Sequence, residues 1–417
     1  MTWDLIVIGG GPAGMMAAGR AAERGAKVLL LEKNKTLGKK LLITGGGRCN
    51  LTNNEPDVRK LLARYKGADK FLFSAFSQHS VSESLAFFHN NSMPTKEEND
   101  RRMFPQSNTA KSVWEVLVAY MARNKVEVRT GVTVKGFVSE GGKIAAVNTD
   151  KGIFEAKSYL LATGGKSHPE TGSTGEGFEW LNQIGHTIVQ PTSALVPIQI
   201  KDAWIKDLQG LALPDAKITV IQNEVKEFSK QGKILFTHFG LSGPAVLNMS
   251  KGIGELLEWD SVFISIDVFP NEDYGTLNEL LLKAFADHSN KKFKNVMAEI
   301  LPSKLAPVIT SLSKIDPDKF VNTITRDERV LLTKLMKDLR AEVTGLLGED
   351  KAIITSGGVA LEEVDFKTMQ SKIAGNLYLA GDVLNIDRPS GGFSLQLCWT
   401  TGFVAGNSAA SAMEALK

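Results

Sequence analysis

The sequence predicts an α/β fold in which both ends of the chain build one parallel-sheet domain, with an insert of different character between them. Three observations support this prediction. The N-terminal third alternates strands with helices, the middle turns to β-branched runs and then to charged helices, and from about residue 353 the first pattern returns. A chain of 417 residues also exceeds one ordinary core, because single domains mostly run from about 50 to 250 residues.

The first predicted elements form a βαβ unit. Leu5–Ile8 is a short apolar run typical of a buried parallel strand, and Pro12–Arg24 is an alanine-rich helix that ends before a glycine. Val28–Leu31 is the next strand, and Trp114–Arg123 predicts a later helix. Strands joined by a helix lie parallel in one sheet, so these elements predict the core of an α/β domain.

The pattern changes after the helix that ends near residue 123. Short alternating stretches at 126–128, 132–138 and 144–147, with a Gly-Gly turn at 141–142, predict an antiparallel meander. An apolar strand, Tyr159–Ala162, then ends on Thr163, Gly164 and Gly165. Further along, residues 195–270 are strand-like and residues 276–345 have a helical pattern with basic faces.

Composition and charge exclude several classes of protein. Apolar residues make up 43% and charged residues 23%, which is typical of a globular chain. The net charge of +3 is too small for the whole chain to be a polyanion binder. Two cysteines exclude a disulfide scaffold, and the histidine spacing predicts no metal site. We expect no signal peptide, no membrane span and a cytoplasmic location, because Asp4 interrupts the first apolar run and no 18-residue window is apolar.

A glycine motif follows the first strand and opens the next helix. Gly9, Gly11 and Gly14 fit G-x-G-x-x-G, which provides a tight turn, close backbone approach to a pyrophosphate, and close packing of helix on strand. The helix N-terminus offers unpaired N–H groups to the phosphates. Glu32 ends the second strand, where a carboxylate can bind ribose hydroxyls and would repel a 2′-phosphate. The motif therefore predicts FAD or NAD rather than NADP.

Two further features favour FAD over NAD. Thr44–Asn50 is a second glycine-rich backbone cradle, which a simple NAD domain does not need. Near the C-terminus a strand delivers Asp382, and Gly391–Gly392 leads into the apolar helix Phe393–Leu416, whose N-terminus we expect at the pyrimidine edge of the flavin. The predicted cofactor-binding residues are Gly9, Gly11, Pro12, Ala13, Gly14, Glu32, Lys33, Lys39, Lys40, Thr44, Gly45, Gly46, Gly47, Arg48, Cys49, Asn50, Val134, Thr163, Gly164, Gly165, Gly381, Asp382, Gly391, Gly392, Phe393 and Ser394.

Four strings in the chain resemble one known family. They are Thr44–Asn50, Thr163–Gly165 with Thr171–Gly175, Phe236–Pro244, and Gly381–Gln396. The chain resembles, over its whole length, the BaiN/YhiN-like bacterial flavoproteins, often labelled NAD(FAD)-utilising dehydrogenases. The resemblance implies a Rossmann-like FAD-binding domain of the glutathione-reductase type, split by an inserted β-barrel and a small helical domain. The expected boundaries are 1–191 and 355–417 for the FAD-binding domain, 192–272 with 340–354 for the barrel, and 273–339 for the helical domain.

The C-terminal signature departs from the family pattern at four positions. Asp382 stands where Glu is usual, and Asn385 stands where Asp is usual. Arg388 stands where Gly is common, and Ser394 where Asn is common. All four residue types suit a flavin site, so the departures bear on the substrate more than on the cofactor.

Catalytic candidates come from the insert. His238 lies on a predicted loop beside Thr237 and Ser242, and a histidine that titrates near neutral pH suits general acid or base work. The alternative is that His238 ties this turn to backbone carbonyls. Cys49 lacks a second cysteine nearby in the sequence, which argues against a redox dithiol.

The function that these features favour is hydride transfer through FAD between a transiently bound NAD(P)H and a small organic substrate. One alternative is an oxidase that passes the electrons from a small amine or similar substrate to O2. An alternative of another class is a flavoprotein that acts on or binds RNA, because residues 281–340 carry 12 basic and 7 acidic side chains. A solvated helical face explains those charges more simply, so we expect a small-molecule partner rather than nucleic acid.

Overall fold

The computed structural model describes residues 3–348 and 354–414. It divides into two compact units, the first made of residues 1–193 and 352–417 and the second of residues 194–351. Residues 349–353 of the expected barrel domain and residues 415–416 of the expected C-terminal helix lie outside the described residues. In the described part of the chain, every helix is too short or too polar to cross a bilayer.

The helices and strands of the first unit come from both ends of the chain, and those of the second unit lie between them. The first part of the first unit contains β1 (Trp3–Ile8), α1 (Pro12–Glu23), β2 (Val28–Glu32), α2 (Lys39–Ile43), β3 (Thr52–Asn53), α3 (Val58–Leu62), α4 (Asp69–Gln78), α5 (Val81–Asn90), β4 (Thr95–Glu98), β5 (Arg102–Pro105), α6 (Ala110–Arg123), β6 (Glu127–Thr130), β7 (Val134–Glu140), β8 (Lys143–Thr149), β9 (Gly152–Phe154), β10 (Ala156–Leu161), α7 (Glu176–Gln183) and β11 (Ile188–Ala194). The second unit contains β12 (Ile198–Ile200), α8 (Trp204–Asp207), β13 (Ala212–Gln222), β14 (Val225–Phe236), β15 (Gly240–Ser242), α9 (Pro244–Leu247), α10 (Ser250–Leu257), β16 (Val262–Asp267), α11 (Tyr274–Asp287), α12 (Phe293–Ile300), α13 (Leu305–Ser313), α14 (Arg326–Lys337) and β17 (Leu339–Leu346). The chain returns to the first unit with β18 (Ile354–Val359), β19 (Leu377–Leu379) and α15 (Phe393–Glu414).

The first unit is built on a five-stranded parallel sheet with strand order β19-β10-β1-β2-β6. Ile8 pairs with Leu31 on one side and with Leu161 on the other, so β1, β2 and β10 end at the same level. Their side chains are buried on both faces, as expected for parallel strands covered by helices. The residues that follow these strands therefore meet at one edge of the sheet.

Helix α15 packs closely on α1. A Cβ added at Gly402 or Gly406 would lie 2.5 Å from the carbonyl oxygen of Ala13 or 2.3 Å from that of Ala17. Beside this contact between α1 and α15, Arg20 donates to the side chain of Asn407 at 2.8 Å. Because the two backbones touch, the first turns of α15 come to the same edge of the sheet as the glycine turn before α1.

Two element predictions need correction. Residues 127 and 128, predicted as part of the first meander stretch at 126–128, belong to β6, which pairs in parallel with β2 and not with the meander. All four residues of β6 are exposed, so this edge strand lacks the apolar run that marks a buried parallel strand. Residues 339–345, where the pattern was helical, form strand β17 of the second unit. The meander itself is confirmed as the antiparallel sheet β7-β8-β9.

The second unit contains a closed six-stranded barrel in the order β12-β15-β14-β13-β16-β17. Inward residues such as Ile218, Val220 and Ile264 fill the barrel, and helices α11 to α14 bury the same apolar core from outside. The predicted fold class is therefore confirmed: a Rossmann-like α/β domain is split by an inserted barrel with a small helical part.

Candidate functional site

A cleft of about 1210 Å³, including the solvent at its mouth, lies at the carboxyl edge of the parallel sheet in the first unit. The cleft lies outside the carboxyl ends of the strands, which is where open α/β sheets bind their ligands. The residues lining the cleft are Ile8, Gly9, Gly10, Gly11, Pro12, Ala13, Leu31, Glu32, Lys33, Asn34, Gly38, Lys39, Lys40, Leu41, Thr44, Val132, Val134, Ala162, Thr163, Gly164, Thr171, Gly172, Ser173, Thr174, Gly175, Glu176, Trp180, Ala380, Gly381, Asp382, Ser394, Leu395 and Cys398.

The glycine turn at the end of β1 forms the centre of the cleft. Gly14 faces the turn and not the cleft, since a Cβ there would lie 1.9 Å from the carbonyl oxygen of Gly9. A Cβ at Gly11 would meet nothing within 4 Å, so the backbone there is open. Gly11 caps α1 without a side-chain hydrogen bond to the helix. The first turn of α1 therefore presents backbone N–H groups and a positive helix end to the cleft, which suits a pyrophosphate.

Glu32 is buried at the end of β2 and is held by three hydrogen bonds. One carboxylate oxygen accepts from the N–H of Gly10 at 2.8 Å. The other accepts from the backbone N–H of Asn34 at 2.7 Å and from its side-chain amide at 2.8 Å. An ionised carboxylate offers about four acceptor positions, so room remains for a hydroxyl donor such as a ribose.

Residues 163–175, which we call the strap, form one wall of the cleft. Lys33 donates to the hydroxyl of Thr174 at 2.9 Å and pairs with Glu176, just beyond the strap, at 2.7 Å. The hydroxyl of Thr355 in β18 accepts from two strap N–H groups, those of Lys166 at 2.6 Å and Ser167 at 3.1 Å. The strap is thus tied to both β2 and β18.

A charged cluster forms the wall that follows β19. Asp382 lies 3.8 Å from the ammonium group of Lys40 and is paired with the guanidinium of Arg388. Lys40 also donates to the hydroxyl of Ser167. Burial lowers the pKa of Lys40, because a low-dielectric environment disfavours the ammonium ion, while the charge of Asp382 opposes this effect.

Cys398, from α15, lines the same wall, and burial raises the pKa of its thiol to about 12. Cys49 is also buried, with its pKa raised to about 12 by the same cause. Both thiols therefore stay protonated and unreactive at neutral pH.

Several predicted cofactor residues do not line the cleft. They are Gly14, Gly45, Gly46, Gly47, Arg48, Cys49, Asn50, Gly165, Gly391, Gly392 and Phe393. Arg48 instead pairs with Glu98 and lies over the ring of Phe104 at 4.4 Å. A Cβ at Gly392 would lie 2.4 Å from the backbone of Thr52 in β3, so the close approach that requires glycine is to this chain's own strand.

Other residues of the cleft were missed by the sequence predictions. Asn34, Trp180 and Cys398 line it, as do the strap residues Thr171 to Gly175. The Thr171–Gly175 string was part of the family resemblance, and that signal could have assigned it to the site. Asn34 and Cys398 carry no sequence motif that distinguishes them.

The three catalytic candidates all lie in the second unit. His238 is exposed on the loop between β14 and β15. The hydroxyl of Thr237 both donates to the carbonyl of Gly240 at 3.0 Å and accepts from its N–H at 3.2 Å, which closes the turn. Ser242 is half-buried at the end of β15. Among the described residues, no group of three His, Cys, Asp or Glu side chains could hold a metal ion.

A family model described as the HI0933-like protein Rossmann domain matches residues 3–408. The chain belongs to this family. Membership in the HI0933-like family confirms the predicted relation to the BaiN/YhiN-like flavoprotein oxidoreductases, and the glycine turn and the buried Glu32 are features that suit FAD binding.

Characterised relatives span nearly the whole chain. A 3-dehydro-bile acid delta(4,6)-reductase of Clostridium scindens is 32% identical, covering 97% of this chain and 98% of the relative. A ribosomal RNA dihydrouridine synthase of Escherichia coli is 28% identical, covering 96% of each chain. A protein of the same name from Haemophilus influenzae is 27% identical, covering 95% of this chain and 96% of the relative.

Solved structures share the fold at low sequence identity. The 3-ketosteroid delta1-dehydrogenase of Sterolibacterium denitrificans has a TM-score of 0.55 at 13% identity, covering 99% of this chain and 100% of the other. The E. coli quinol fumarate reductase subunit FrdA has a TM-score of 0.53 at 14% identity, covering 100% of this chain and 71% of the other.

Proposed function

We propose that this protein is an FAD-dependent reductase that takes a hydride from a transiently bound NAD(P)H and delivers it to a small organic substrate. The cleft at the carboxyl edge of the sheet carries the proposal, because it combines an open helix N-terminus with a buried carboxylate that can bind a ribose, and its lining extends from Glu32 to Asp382. FAD supplies hydride acceptance and donation when bound. The sequence holds one dinucleotide motif, which FAD would occupy. We therefore expect NAD(P)H to bind only transiently.

Each part of the cleft has a separate task in this proposal. The N–H groups at the start of α1 bind the pyrophosphate, and Glu32 binds the ribose of the adenosine half. The strap, tied to β2 by Lys33, excludes water from that half. Lys40 and Asp382 bind and orient the flavin half.

We further propose that the substrate contains a C=C bond conjugated to a carbonyl group. The names of two relatives support this: a 3-dehydro-bile acid delta(4,6)-reductase is named for a reduction at ring double bonds, and a ribosomal RNA dihydrouridine synthase is named for a reduced uridine ring. In such a reduction the hydride goes to the β-carbon, negative charge develops on the carbonyl oxygen, and a proton goes to the α-carbon. The enzyme therefore needs a hydrogen-bond donor and a proton source on the substrate side.

His238 is our candidate for that proton source, with Thr237 and Ser242 as neutral donors. The exposure of His238 on a loop suits this role. The hydrogen bonds of the Thr237 hydroxyl to Gly240 favour a turn-closing role for that residue.

The two alternatives receive less support. Part of the positive charge of segment 281–340 is paired: Lys292 and Lys294 share Asp318, and Lys319 pairs with Glu328. Such pairs leave fewer cations for a phosphate backbone, which argues against RNA binding through this segment. No contact among the described residues favours an oxidase over a reductase.

One experiment tests the reductase proposal. The FAD-loaded protein is bleached without oxygen by NADH or NADPH and mixed with a 3-oxo-4,6-diene steroid, with its saturated 3-oxo counterpart, or with air. We expect the diene to restore the yellow colour at least about 100-fold faster than the saturated ketone, because only the diene accepts a hydride at a β-carbon.

Other outcomes contradict separate parts of the proposal. Fast recovery in air would favour the oxidase. Failure of both nicotinamides to bleach a flavin that dithionite reduces would remove NAD(P)H. A purified protein that neither contains FAD nor takes it up would overturn the whole proposal.

A further inference from the structure

Arg388 is a buried cation beside the cleft, in the loop between β19 and α15. Its side chain is fully buried, and its guanidinium makes three separate donations. It donates to the carboxylate of Asp382, to the hydroxyl of Ser394 at 3.0 Å, and to the carbonyl of Ile386 at 2.7 Å. Asp382 and Ser394 both line the cleft, whereas Arg388 itself does not.

The strand order indicates which half of FAD would face this cluster. Along the edge of the sheet, Glu32 follows β2, the glycine turn follows β1, and Asp382 follows β19 on the far side of β10. With strands about 4.8 Å apart, β19 lies roughly 14 Å from β2. If the adenosine ribose binds at Glu32 and the pyrophosphate at the glycine turn, the flavin half extends toward Asp382.

Arg388 and Asp382 contribute opposite charges to this cluster. The pair lies beside Lys40, and Asp387 precedes Arg388 in the chain. The next acidic group that acts on Lys40 is Glu170, whose side chain is 59% exposed and pairs with His168. Charges buried beside a cofactor are screened weakly, so adding or removing one of them acts strongly on a charge that forms there.

We propose that Arg388 is a positioning residue for the flavin half of the site: it holds Asp382 and Ser394 at the cleft wall and adds a buried positive charge behind that wall. A positive charge there favours the reduced, anionic flavin over the oxidised form. This inference rests on the proposed binding of FAD, and it identifies Arg388 as a residue that raises the reduction potential of the bound flavin.

The test measures FAD affinity and the two-electron midpoint potential of the bound flavin in four variants. They are Arg388→Met, Arg388→Lys, Asp382→Asn and the double variant Arg388→Met with Asp382→Asn. Arg129→Met serves as the control, because Arg129 is an exposed residue of β6 that pairs with Glu127 on the surface of the same unit. Thermal unfolding of each apoprotein reports whether it is folded.

The expected potentials follow the net charge of the wall. Asp382→Asn raises the potential, Arg388→Met lowers it, and the double variant stays close to wild type because it removes one positive and one negative charge. A tenfold change in the preference for reduced flavin corresponds to about 30 mV for a two-electron couple. We expect at least that shift in each single charge variant and none in Arg129→Met.

The affinity separates positioning from charge. Arg388→Lys keeps the charge but cannot donate to three partners from a fixed fork, so FAD should bind at least about tenfold more weakly at an unchanged potential. Arg388→Met leaves Asp382 without its partner and so could fail to fold. In that case the FAD affinity of Arg388→Lys and the potential of the double variant test the inference.

Unchanged affinity and potential in folded, FAD-loaded Arg388 variants would overturn the inference while leaving the proposed function intact. A double variant whose potential falls as far as that of Arg388→Met would also overturn it. A wild-type protein that does not bind FAD would instead contradict the proposed function.

Discussion

Replacement of Glu32 by alanine should weaken FAD binding through the adenosine half alone. Glu32 is buried and ionisable, and its carboxylate accepts from the N–H groups of Gly10 and Asn34. The variant removes both the bond to the ribose and the anchor of the glycine turn. A hydrogen bond to a charged group contributes about 1.5–3 kcal/mol, which corresponds to roughly 10- to 100-fold in affinity.

The buried N–H of Gly10 makes a second effect measurable. Without Glu32 this donor has lost its acceptor at 2.8 Å, and an unsatisfied buried donor costs about 1–3 kcal/mol of stability. The unfolding free energy of the apoprotein should fall by that amount. Glu127→Ala is the matched control, because Glu127 is an exposed carboxylate on the neighbouring strand β6.

The assay is a fluorescence titration of the apoprotein with FAD, with ADP and with FMN. Binding of FAD and ADP should weaken together in Glu32→Ala, whereas binding of FMN should change by less than about twofold. A folded variant with wild-type affinity for FAD and ADP would refute the assignment of Glu32 to the ribose. Equal losses for ADP and FMN would show a general distortion of the cleft instead.

Three further predictions concern other parts of the chain. His238→Gln should slow reoxidation of the reduced flavin by the organic substrate about 10²–10⁴-fold in stopped-flow measurements if the histidine moves a proton, and a change below about threefold would assign it to the turn. Gly392→Val should lower FAD occupancy of the purified protein and also its melting temperature, because the new side chain would collide with the backbone of Thr52; full occupancy at an unaltered melting temperature would contradict the contact. Burial lowers the pKa of His79 to about 4, below its unfolded value of about 6.5. The contribution of His79 to the free energy of unfolding is therefore fully present above about pH 6.5, and it falls by up to about 1.4 kcal/mol per pH unit as the pH drops toward 4. His79→Phe should reduce this pH dependence when the free energy of unfolding is measured with urea between pH 4.5 and 7.

The predicted strands of the parallel sheet agree closely with the structure where the strands are buried. Leu5–Ile8 and Val28–Leu31 are buried on both faces, so their apolar runs mark them as central strands. The edge strand β6 is exposed throughout and was assigned to the wrong sheet for that reason. The local pattern of apolar residues detects a strand only where its side chains are buried, and an edge strand such as β6 buries few of them.

The candidate site shows a similar division. Gly11 and Glu32 were predicted from spacing alone, and both line the cleft. Arg388 could be recognised in the sequence only as an unusual residue. Its contacts with Asp382 and Ser394 depend on how the loop after β19 folds back on the start of α15.

The sequence by itself determined the α/β class, the glycine turn after β1 and the carboxylate after β2. These features depend on neighbours a few residues apart, which periodicity and motif spacing record directly. The tertiary structure alone decided that Gly392 touches Thr52, that the strap is tied to Lys33, and that Arg388 pairs with Asp382 beside Lys40. Apart from the Arg388–Asp382 pair, these contacts join residues more than a hundred positions apart, and all of them form only where packing of the whole unit brings separate loops to one edge of the sheet.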